Sequence, residues 1–317
     1  MGKMAVIAIG GNAILQPDET WSVKEQRENI SITCVHIANL IQNGYNVVIT
    51  HGNGPQVGNI LLRNEIAEGI APAMPMDVCV AESQGQIGYM IQQSLTNKLN
   101  ELGISVNVAS IITQVVVDEK DDAFENPTKP IGPYYPEDEA ERLASEKGWT
   151  MMEDVARQGY RRVVPSPEPK EILESEMIMR LLQREESNDI IIAAGGGGVP
   201  VVKTKQGYIG VEAVVDKDLA SQVLATSIKA DILIMLTDVD KVAINFNKPE
   251  QEDLNSMNLK EAKKYLKEGH FPPGSMGPKI LSAIRFLEKG GKEVLITRPE
   301  NLKKALNGEA GTRIFSG

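Results

Sequence analysis

The chain has 317 residues, of which 42% are hydrophobic and 24% charged, as in an ordinary globular protein and unlike a disordered or fibrous one. Its net charge of −10 offers no basic stripe from which a nucleic acid could release counterions, which argues against a nucleic-acid partner. No apolar run approaches the ~20 residues of a membrane span and no signal peptide is visible, so we expect a cytoplasmic protein without a membrane partner.

Through the first 117 residues, apolar β-branched runs alternate with helical patterns, which predicts a mainly parallel sheet covered by helices. Ser22 and Glu25 have the spacing of a capping box, so we expect a helix from there to Asn43. Asp77 is the expected N-cap of a second long helix, which ends before Gly103. The strands expected in this part lie at 4–9, 45–50 and within 104–117.

The two cysteines, Cys34 and Cys79, fall inside these helical segments. A disulfide between them is not expected, because disulfides are rare in the cytosol. Both are therefore predicted to be buried free thiols.

Residues 118–169 differ in composition from what precedes them. The segment contains seven prolines, acidic runs and the adjacent Tyr134 and Tyr135. A connection of that length is usually functional or disordered. We interpret it as an excursion from the main sheet, with a helix near Glu137 to Lys147.

Regular alternation resumes after the excursion. A helix is expected at about 170–185, and a buried strand from Asp189 to Ala194 leads into four glycines at 195–198. A further helix is expected to begin near Asp216, and another to follow the loop at 271–279 and end at Glu288. The remaining expected elements are strands at 231–236 and 293–297 and a helix at 259–267.

Two glycine loops follow strands in the first part of the chain. Gly10, Gly11 and Asn12 could bring backbone N–H groups and an amide close to an anion, although the same residues fit a tight βα turn. The second loop, HGNGPQVG at 51–58, has the spacing G-x-G-x-x-x-G, and no acidic residue ends a strand ~20 residues later. It is a poor dinucleotide fingerprint, so a nicotinamide oxidoreductase is a distant alternative.

Two lysines, Lys217 and Lys279, fall in the first turns of expected helices. The positive end of the helix dipole disfavours a cation there by up to ~1 kcal/mol, and an anionic ligand would reverse that sign. Both would also fit exposed lysines at little cost. Asp216 and Asp218 fit helix caps equally well, or one of them could orient the lysines and a metal-bound phosphate. Lys129 fits a solvated loop charge as well as a functional lysine.

The sequence suggests no metal cage and no catalytic triad. The three histidines, His36, His51 and His270, lie in different contexts without ligand spacing. His36 falls in mid-helix and is expected to pack, whereas His51 is expected to hydrogen-bond the backbone of the second loop. No Ser–His–Asp set stands out.

Five strings, taken together and in this order, resemble the carbamate kinases of the amino-acid-kinase family over essentially the full chain. They are AIGGNA at 8–13, HGNGPQVG at 51–58, AAGGGG at 193–198, GVEAVVDKD at 210–218 and PGSMGPK at 273–279. The resemblance implies an α/β fold, an open αβα sandwich around a large, mainly parallel sheet with a small protruding subdomain, usually as a homodimer. It also implies an N-terminal lobe on the carbamate side (about 1–198, with the excursion at about 118–169) and a C-terminal lobe on the nucleotide side (about 199–317).

The resemblance assigns roles to residues of both lobes. On the acid side, the transferred phosphoryl group would be faced by Gly10, Gly11 and Asn12, and the carbamate would be held by Gly52, Asn53 and Gly54. On the nucleotide side, Asp216 would organise the lysines, and the ATP site would contain Lys217, Met276 and Lys279.

Lys129 would be the active-site lysine of the excursion. Acylamino-acid kinases of the family carry a lysine where this chain has Ala8, so the missing charge must come from elsewhere. The absence of a lysine at position 8 favours Lys129 as the residue that supplies this charge.

The implied reaction is reversible phosphoryl transfer between ATP and carbamate, giving ADP and carbamoyl phosphate, with Mg²⁺ bound mainly to phosphate oxygens. Carbamate is already an anion, so its attack requires no general base. The implied role is arginine and carbamoyl phosphate catabolism, with the physiological direction left open.

Two alternatives remain. The chain could be another phosphotransferase of the family, such as an acylamino-acid or isopentenyl phosphate kinase, against which Ala8 and the complete HGNGPQVG string argue. It could also be a nucleotide-binding protein that has lost catalysis, against which the retention of Lys217 and Lys279 argues.

Overall fold

A computed structural model describes residues 2–15, 19, 22–67, 69–154, 159–183, 189–272 and 274–317. The strands in these residues are β1 (Met4–Ile9), β2 (Asn46–His51), β3 (Val108–Ser110), β4 (Gln114–Val116), β5 (Lys129–Tyr135), β6 (Thr150–Asp154), β7 (Gly159–Val164), β8 (Glu171–Ile172), β9 (Ile190–Ile192), β10 (Val199–Thr204), β11 (Gly207–Gly210), β12 (Ile232–Leu236), β13 (Val242–Ile244), β14 (Glu252–Leu254), β15 (Ser256–Asn258), β16 (Glu293–Thr297) and β17 (Thr312–Phe315). The helices are α1 (Val23–Gln42), α2 (Gly54–Ile66), α3 (Met76–Glu101), α4 (Glu137–Lys147), α5 (Ser175–Leu182), α6 (Lys217–Ser227), α7 (Leu259–Lys267), α8 (Met276–Glu288) and α9 (Leu302–Leu306).

The largest sheet in the described part of the chain has eight strands in the order β15-β17-β16-β12-β1-β2-β9-β3. The six strands from β16 to β3 are parallel, and only the pairing of β16 with β17 is antiparallel. The carboxyl ends of β12, β1, β2 and β9 therefore lie side by side along one edge of the sheet. In open α/β sheets this edge is where ligands bind.

The side chains of the central strands alternate between the two faces of this sheet. On one face Val6 and Ala8 pack with helices α6 and α8, and on the other Ala5, Ile7 and Ile9 pack with α1 and α3. Both faces are covered, which is why these strands read as continuous apolar runs in the sequence. The predicted α/β fold with a large, mainly parallel sheet is confirmed.

Three smaller sheets accompany the large one in the described residues, and one of them is the antiparallel pair of β13 and β14. A four-stranded sheet has the order β11-β10-β4-β8, and a three-stranded antiparallel sheet has the order β5-β7-β6. The latter lies within residues 118–169, and we call it the excursion sheet. The division of the chain into two lobes stays a prediction.

Local signals placed several elements correctly. Helix α1 begins at the predicted capping box, in which Ser22 Oγ accepts from the Glu25 N–H at 3.3 Å and Glu25 Oε2 accepts from the Ser22 N–H at 2.8 Å. Helices α4 and α7 and strands β1 and β16 have the predicted bounds. Cys34 and Cys79 are buried and free, as expected. None of the helices in the described residues is long and apolar enough to cross a membrane.

Two expectations were wrong in detail. Helix α3 has Pro75 as its N-cap, and Asp77 lies in the first turn, where a negative charge suits the helix dipole. The helix expected at about 170–185 begins only at Ser175, because residues 171–172 pair with β4 as strand β8. Its predicted end at Glu185 lies outside the described residues.

Candidate active site

The first two glycine loops meet where β1 and β2 end. The pairing of β1 with β2 continues into the second loop, since the Gly52 N–H donates to the Ile9 carbonyl at 3.1 Å. On the other side of β1, the Gly10 N–H donates to the Leu236 carbonyl of β12 at 3.0 Å. A β-carbon on Gly52 would lie 3.5 Å from the Gly11 backbone nitrogen and 3.4 Å from the Lys217 side chain. The two loops and Lys217 are thus neighbours at the sheet edge.

The chain turns sharply between β9 and β10, at the third glycine loop. Ala194 has φ of 49°, and Gly196, Gly197 and Gly198 have φ of 62°, 91° and 90°, which favour glycine. A β-carbon on Gly196 would lie 2.2 Å from Asn53 Nδ2, so only glycine lets the two loops pack this closely. This contact was missed from the sequence, where Gly195 to Gly198 gave only the end of a strand.

Asn53 is buried between the second and third loops. Its Nδ2 donates to Ser83 Oγ on helix α3 at 2.8 Å, which fixes the direction of the amide. Helix α2 begins at Gly54, immediately after it. Gly52, Asn53 and Gly54 are therefore held between β2 and two helices.

His51 supports this edge as a neutral, buried side chain. Burial lowers its pKa to about 4, and Nδ1 donates to the Gly52 carbonyl at 2.9 Å, the backbone hydrogen bond expected from the sequence. The other face of the ring contacts the third loop, because a β-carbon on Gly195 would lie 2.4 Å from His51 Nε2. His51 thus holds two loops together, and its burial and lowered pKa leave it poorly suited to accept a substrate proton.

Three lysines and two carboxylates lie beside the loops. Asp218, whose side chain is 4% exposed, forms ion pairs with Lys217 and with Lys279, the latter at 3.0 Å. Asp216 pairs with Lys129 at 2.7 Å. The lysines come from α6, α8 and β5, so the cluster joins three separate parts of the chain.

Asp216 and Asp218 contact different lysines from those we expected. We expected Asp216 to organise Lys217 and Lys279, but their direct partner is Asp218. Asp216 instead caps α6, accepting from the Asp218 N–H at 2.9 Å, and holds Lys129. Both of the roles left open for these residues, cap and lysine partner, are thus present at once.

The charges of this cluster support one another. Burial raises the pKa of both carboxyls, but the neighbouring lysines outweigh it, so the pKa values of Asp216 and Asp218 lie below their ordinary range. Burial lowers the pKa of Lys217 despite Asp218, whereas for Lys279 the attraction of Asp218 outweighs burial and raises the pKa. An anion bound beside Lys217 would favour its charged form and so oppose the effect of burial.

The remaining predicted site residues are placed less fully. The backbone of Gly11, Asn12 and Ala13 forms a short 3-10 turn after β1, but the side chain of Asn12 lies outside the described part. Met276 opens helix α8, three residues before Lys279, and packs partly buried against the core. Pro273, in the loop before it, is also outside the description.

No group of three or more His, Cys, Asp and Glu side chains that could hold a metal ion occurs among the described residues. The two carboxylates of the lysine cluster, Asp216 and Asp218, are already paired with lysines. A metal at this edge would fit as an ion carried on phosphate oxygens, with these carboxylates able to orient its water ligands.

Known proteins resemble this chain over its whole length. A sequence profile described as the amino acid kinase family matches residues 3–298. The carbamate kinase of Thermococcus kodakarensis is 51% identical over 98% of this chain and 99% of its own, and that of Pyrococcus horikoshii is 51% identical over 99% of both. The solved structure of Giardia lamblia carbamate kinase bound to AMP-PNP superposes with a TM-score of 0.91, at 44% identity over 100% of this chain and 99% of that one. The resemblance predicted from the five sequence strings is confirmed.

Proposed function

Because the chain belongs to the amino acid kinase family, we propose that it catalyses reversible phosphoryl transfer between ATP and carbamate, giving ADP and carbamoyl phosphate. One observation carries the proposal: the cluster of Lys129, Lys217 and Lys279 around two carboxylates, directly beside glycine loops at the carboxyl edge of the sheet. Three cations without a free carboxylate among them suit a ligand that brings its own negative charge.

The two substrates would approach this edge from opposite sides. Gly10, Gly11 and Asn12 would face the transferred phosphoryl group, with backbone N–H groups as donors. Carbamate would be held by the loop Gly52–Asn53–Gly54, whose central residue is fixed by Ser83. The acid side would belong to an N-terminal lobe and the nucleotide side to a C-terminal lobe that begins near residue 199.

The nucleotide phosphates would be neutralised by Lys217 and Lys279, with Met276 at the start of α8 nearby. Both lysines already converge on Asp218, which holds them in place before the nucleotide arrives. An incoming phosphate would add negative charge next to Lys217 and so oppose the effect of burial on its pKa. Such prearranged donors stabilise charge in the transition state without reorganisation.

No side chain is needed as a general base. The carbamate oxygen is anionic and can attack the γ-phosphorus directly, and the reverse attack by ADP likewise starts from an anion. His51 is buried with a lowered pKa, and Asp216 and Asp218 are paired with lysines. The work of the chain would be alignment and charge neutralisation.

Mg²⁺ bound together with ATP or ADP would reduce the negative charge that repels the attacking anion. Asp216 and Asp218 are the carboxylates that would orient its water ligands. Lys129 would supply the positive charge on the acid side, because this chain has Ala8 where acylamino-acid kinases of the family carry a lysine.

The assembly would be a homodimer in the cytoplasm. An exposed stripe of helix α3 supports self-association: Val78 and Tyr89 are 37% and 51% exposed, and Gly85 lies between them with open space where a side chain would be. The adjoining strand β3 forms the end of the large sheet. Two free buried thiols are compatible with a reducing compartment.

The test is ATP formation from ADP and an acyl phosphate, followed by a coupled assay with hexokinase and a dehydrogenase in the presence of Mg²⁺. We expect rapid turnover with carbamoyl phosphate and little with acetyl phosphate or an acylamino-acid phosphate. Preference for another donor would point to a different phosphotransferase of the family. Binding of ADP without turnover of any donor would contradict an enzymatic function.

A further inference from the structure

A group of charged and aromatic side chains attaches the excursion sheet to helix α2. It consists of Glu65 in the last turn of α2, Lys147 at the end of α4, Trp149, and Arg162 in β7, and we call it the docking cluster. None of these residues has a role in the proposed reaction described above. All of them lie outside the lysine–aspartate cluster.

The docking cluster is built around the carboxylate of Glu65. Its two oxygens lie 3.3 Å from Arg162 Nη1 and 3.6 Å from Lys147 Nζ. The same two cations cover the ring of Trp149, with the Arg162 guanidinium carbon 4.4 Å and the Lys147 nitrogen 5.3 Å from its centroid. Each cation thus contacts both an anion and an aromatic face, an arrangement that restricts it more than one exposed ion pair would.

Arg162 is connected to Lys129 through the ladder of the excursion sheet. In the antiparallel pairing of β5 and β7, Arg162 is opposite Ile131 and Val164 is opposite Lys129. Lys129 is therefore two residues along the same strand from the partner of Arg162. A movement of Arg162 relative to α2 would be transmitted to Lys129, because two residues of an extended strand span only ~7 Å.

The same strand touches α2 directly through two glycines. A β-carbon on Gly58 of α2 would lie 2.1 Å from the backbone of Gly132 in β5, and Gly132 has φ of 69°. No side chain fits between these backbones, so helix and strand touch directly here, and Ile131 of β5 packs in the same buried apolar cluster as Val57 and Leu61 of α2. The docking cluster adds a polar attachment about two turns further along α2, at the end where Glu65 lies.

Helix α2 also carries part of the proposed substrate site. It begins at Gly54, directly after Asn53, and Gly54 lies near the Pro130 carbonyl, which a β-carbon would approach to 4.0 Å. The helix therefore holds the second glycine loop at its N-terminus and contacts the excursion sheet from Gly54 to Glu65. The distance between that loop and Lys129 depends on how the sheet sits on the helix.

We propose that Glu65 and Arg162 are positioning residues for phosphoryl transfer: by docking the excursion sheet on α2, they hold Lys129 at the glycine loops. This inference rests on the proposed function, since it presumes that Lys129 takes part in the reaction. Neither residue touches substrate in this arrangement, and both act through strand β5.

The experiment compares Glu65→Gln with Glu146→Gln in the coupled assay. Glu146 forms an ion pair with Arg142 at 2.7 Å on the outer face of α4, so its substitution removes a carboxylate of the same excursion without touching the docking cluster. We expect Glu65→Gln to lower kcat about fivefold, as for an interaction of about 1 kcal/mol, with the KM for ADP unchanged. Glu146→Gln should leave both constants unchanged.

A double-substitution test separates positioning from a general structural effect. In a Lys129→Ala background, Glu65→Gln should cause no further fall in kcat, because its effect passes through Lys129. The same fold-decrease in both backgrounds would overturn the proposal. Arg162→Lys keeps the charge opposite Glu65 and should recover part of the kcat lost in Arg162→Gln.

Trp149 gives a readout that does not depend on activity. Trp21 and Trp149 are the two tryptophans, so a Trp21→Phe background isolates the ring in the docking cluster. Glu65→Gln should shift its emission to the red and increase quenching by acrylamide, whereas Glu146→Gln should change neither. An active wild type with an unaffected Glu65→Gln variant would overturn the positioning role alone, whereas inactive wild type would overturn the proposed function.

Discussion

The carboxyl edge of the central sheet and the excursion sheet contribute to one site by different physical means. At the edge, β1, β2, β9 and β12 are buried on both faces, and the glycine loops that follow them pack backbone against backbone. The excursion sheet is mostly half-exposed and meets the rest of the chain through a glycine contact, a small apolar patch and ion pairs.

This difference indicates which part of the site is fixed and which can adjust. Backbone packing in a buried sheet tolerates little displacement, so the loops that would hold the phosphoryl group are rigid. Ion pairs between half-exposed side chains each contribute about 1 kcal/mol or less, so a segment held by them opens at modest cost. Lys129 thus belongs to the adjustable part, and Lys217 to the fixed part.

The largest effect is expected from Gly196→Ala, which disrupts the packing of the third glycine loop on the second. The new methyl group would meet Asn53 Nδ2 at 2.2 Å, and the residue would be held at φ of 62°. Strain and overpacking together should lower the free energy of unfolding by about 3 kcal/mol. Turnover should fall with it, because Asn53 would be displaced.

Gly103→Ala is the matched control for that substitution. Gly103 has φ of 71° with open space around it, so it reports the backbone strain without the collision. Denaturant unfolding and the coupled assay measure both variants. Equal losses of stability in the two would contradict a specific packing of Gly196 on Asn53.

A smaller effect is expected from Lys129→Ala, which removes the positive charge that the excursion sheet places next to Asp216. We expect kcat to fall about tenfold to a hundredfold, as for one lost charge-stabilising donor. The affinity for ADP, measured by calorimetry, should change little, since Lys217 and Lys279 remain on Asp218. Lys120→Ala, an exposed lysine of the same excursion, is the control, and unchanged turnover in Lys129→Ala would remove that residue from the mechanism.

The smallest expected effect is a decrease in the free energy of unfolding in mild acid, caused by His51. The pKa of His51 is lowered to about 4 in the folded chain, below its ordinary value of 6.5, so the unfolded chain binds the proton more readily. Stability should therefore decline as pH falls below 6.5, by about 1 kcal/mol between about pH 7 and about pH 5.5.

His51→Gln should flatten that decline, because a glutamine does not titrate. Chemical unfolding at several pH values measures both proteins. A His51→Gln variant that loses stability as steeply as the wild type would place the acid sensitivity elsewhere.

The sequence predicted several elements of both regions because their signals are local. The capping box at Ser22 and Glu25, the apolar run of β1 and the helix at residues 137–147 each follow from neighbouring residues. The hairpin of β10 and β11, the edge strand β17 and the strands of the excursion were not predicted. Their pairings join distant or weakly patterned segments, so no local period reveals them.

Residues of the candidate site were named from the sequence, but the contacts between them were not. Lys129, Lys217, Lys279 and Asp216 were all named, and the structure brings them together. Which aspartate meets which lysine depends on how α6 is rotated against the sheet, and two aspartates two residues apart cannot be distinguished by pattern. The packing of Asn53 on Gly196 likewise depends on two loops 140 or more residues apart in the chain.

The most direct measurement is the rate of ATP formation from ADP and carbamoyl phosphate by the wild type and by Lys217→Ala, side by side. Lys217 lies beside the glycine loops of the fixed edge, where the nucleotide phosphates are expected to bind. Its loss should lower the rate at least about a hundredfold. Thermal unfolding of the variant should show that the fold persists. Rapid wild-type turnover that disappears in the folded variant would establish reaction and site together, whereas a variant with near wild-type turnover would contradict phosphoryl transfer at this lysine cluster.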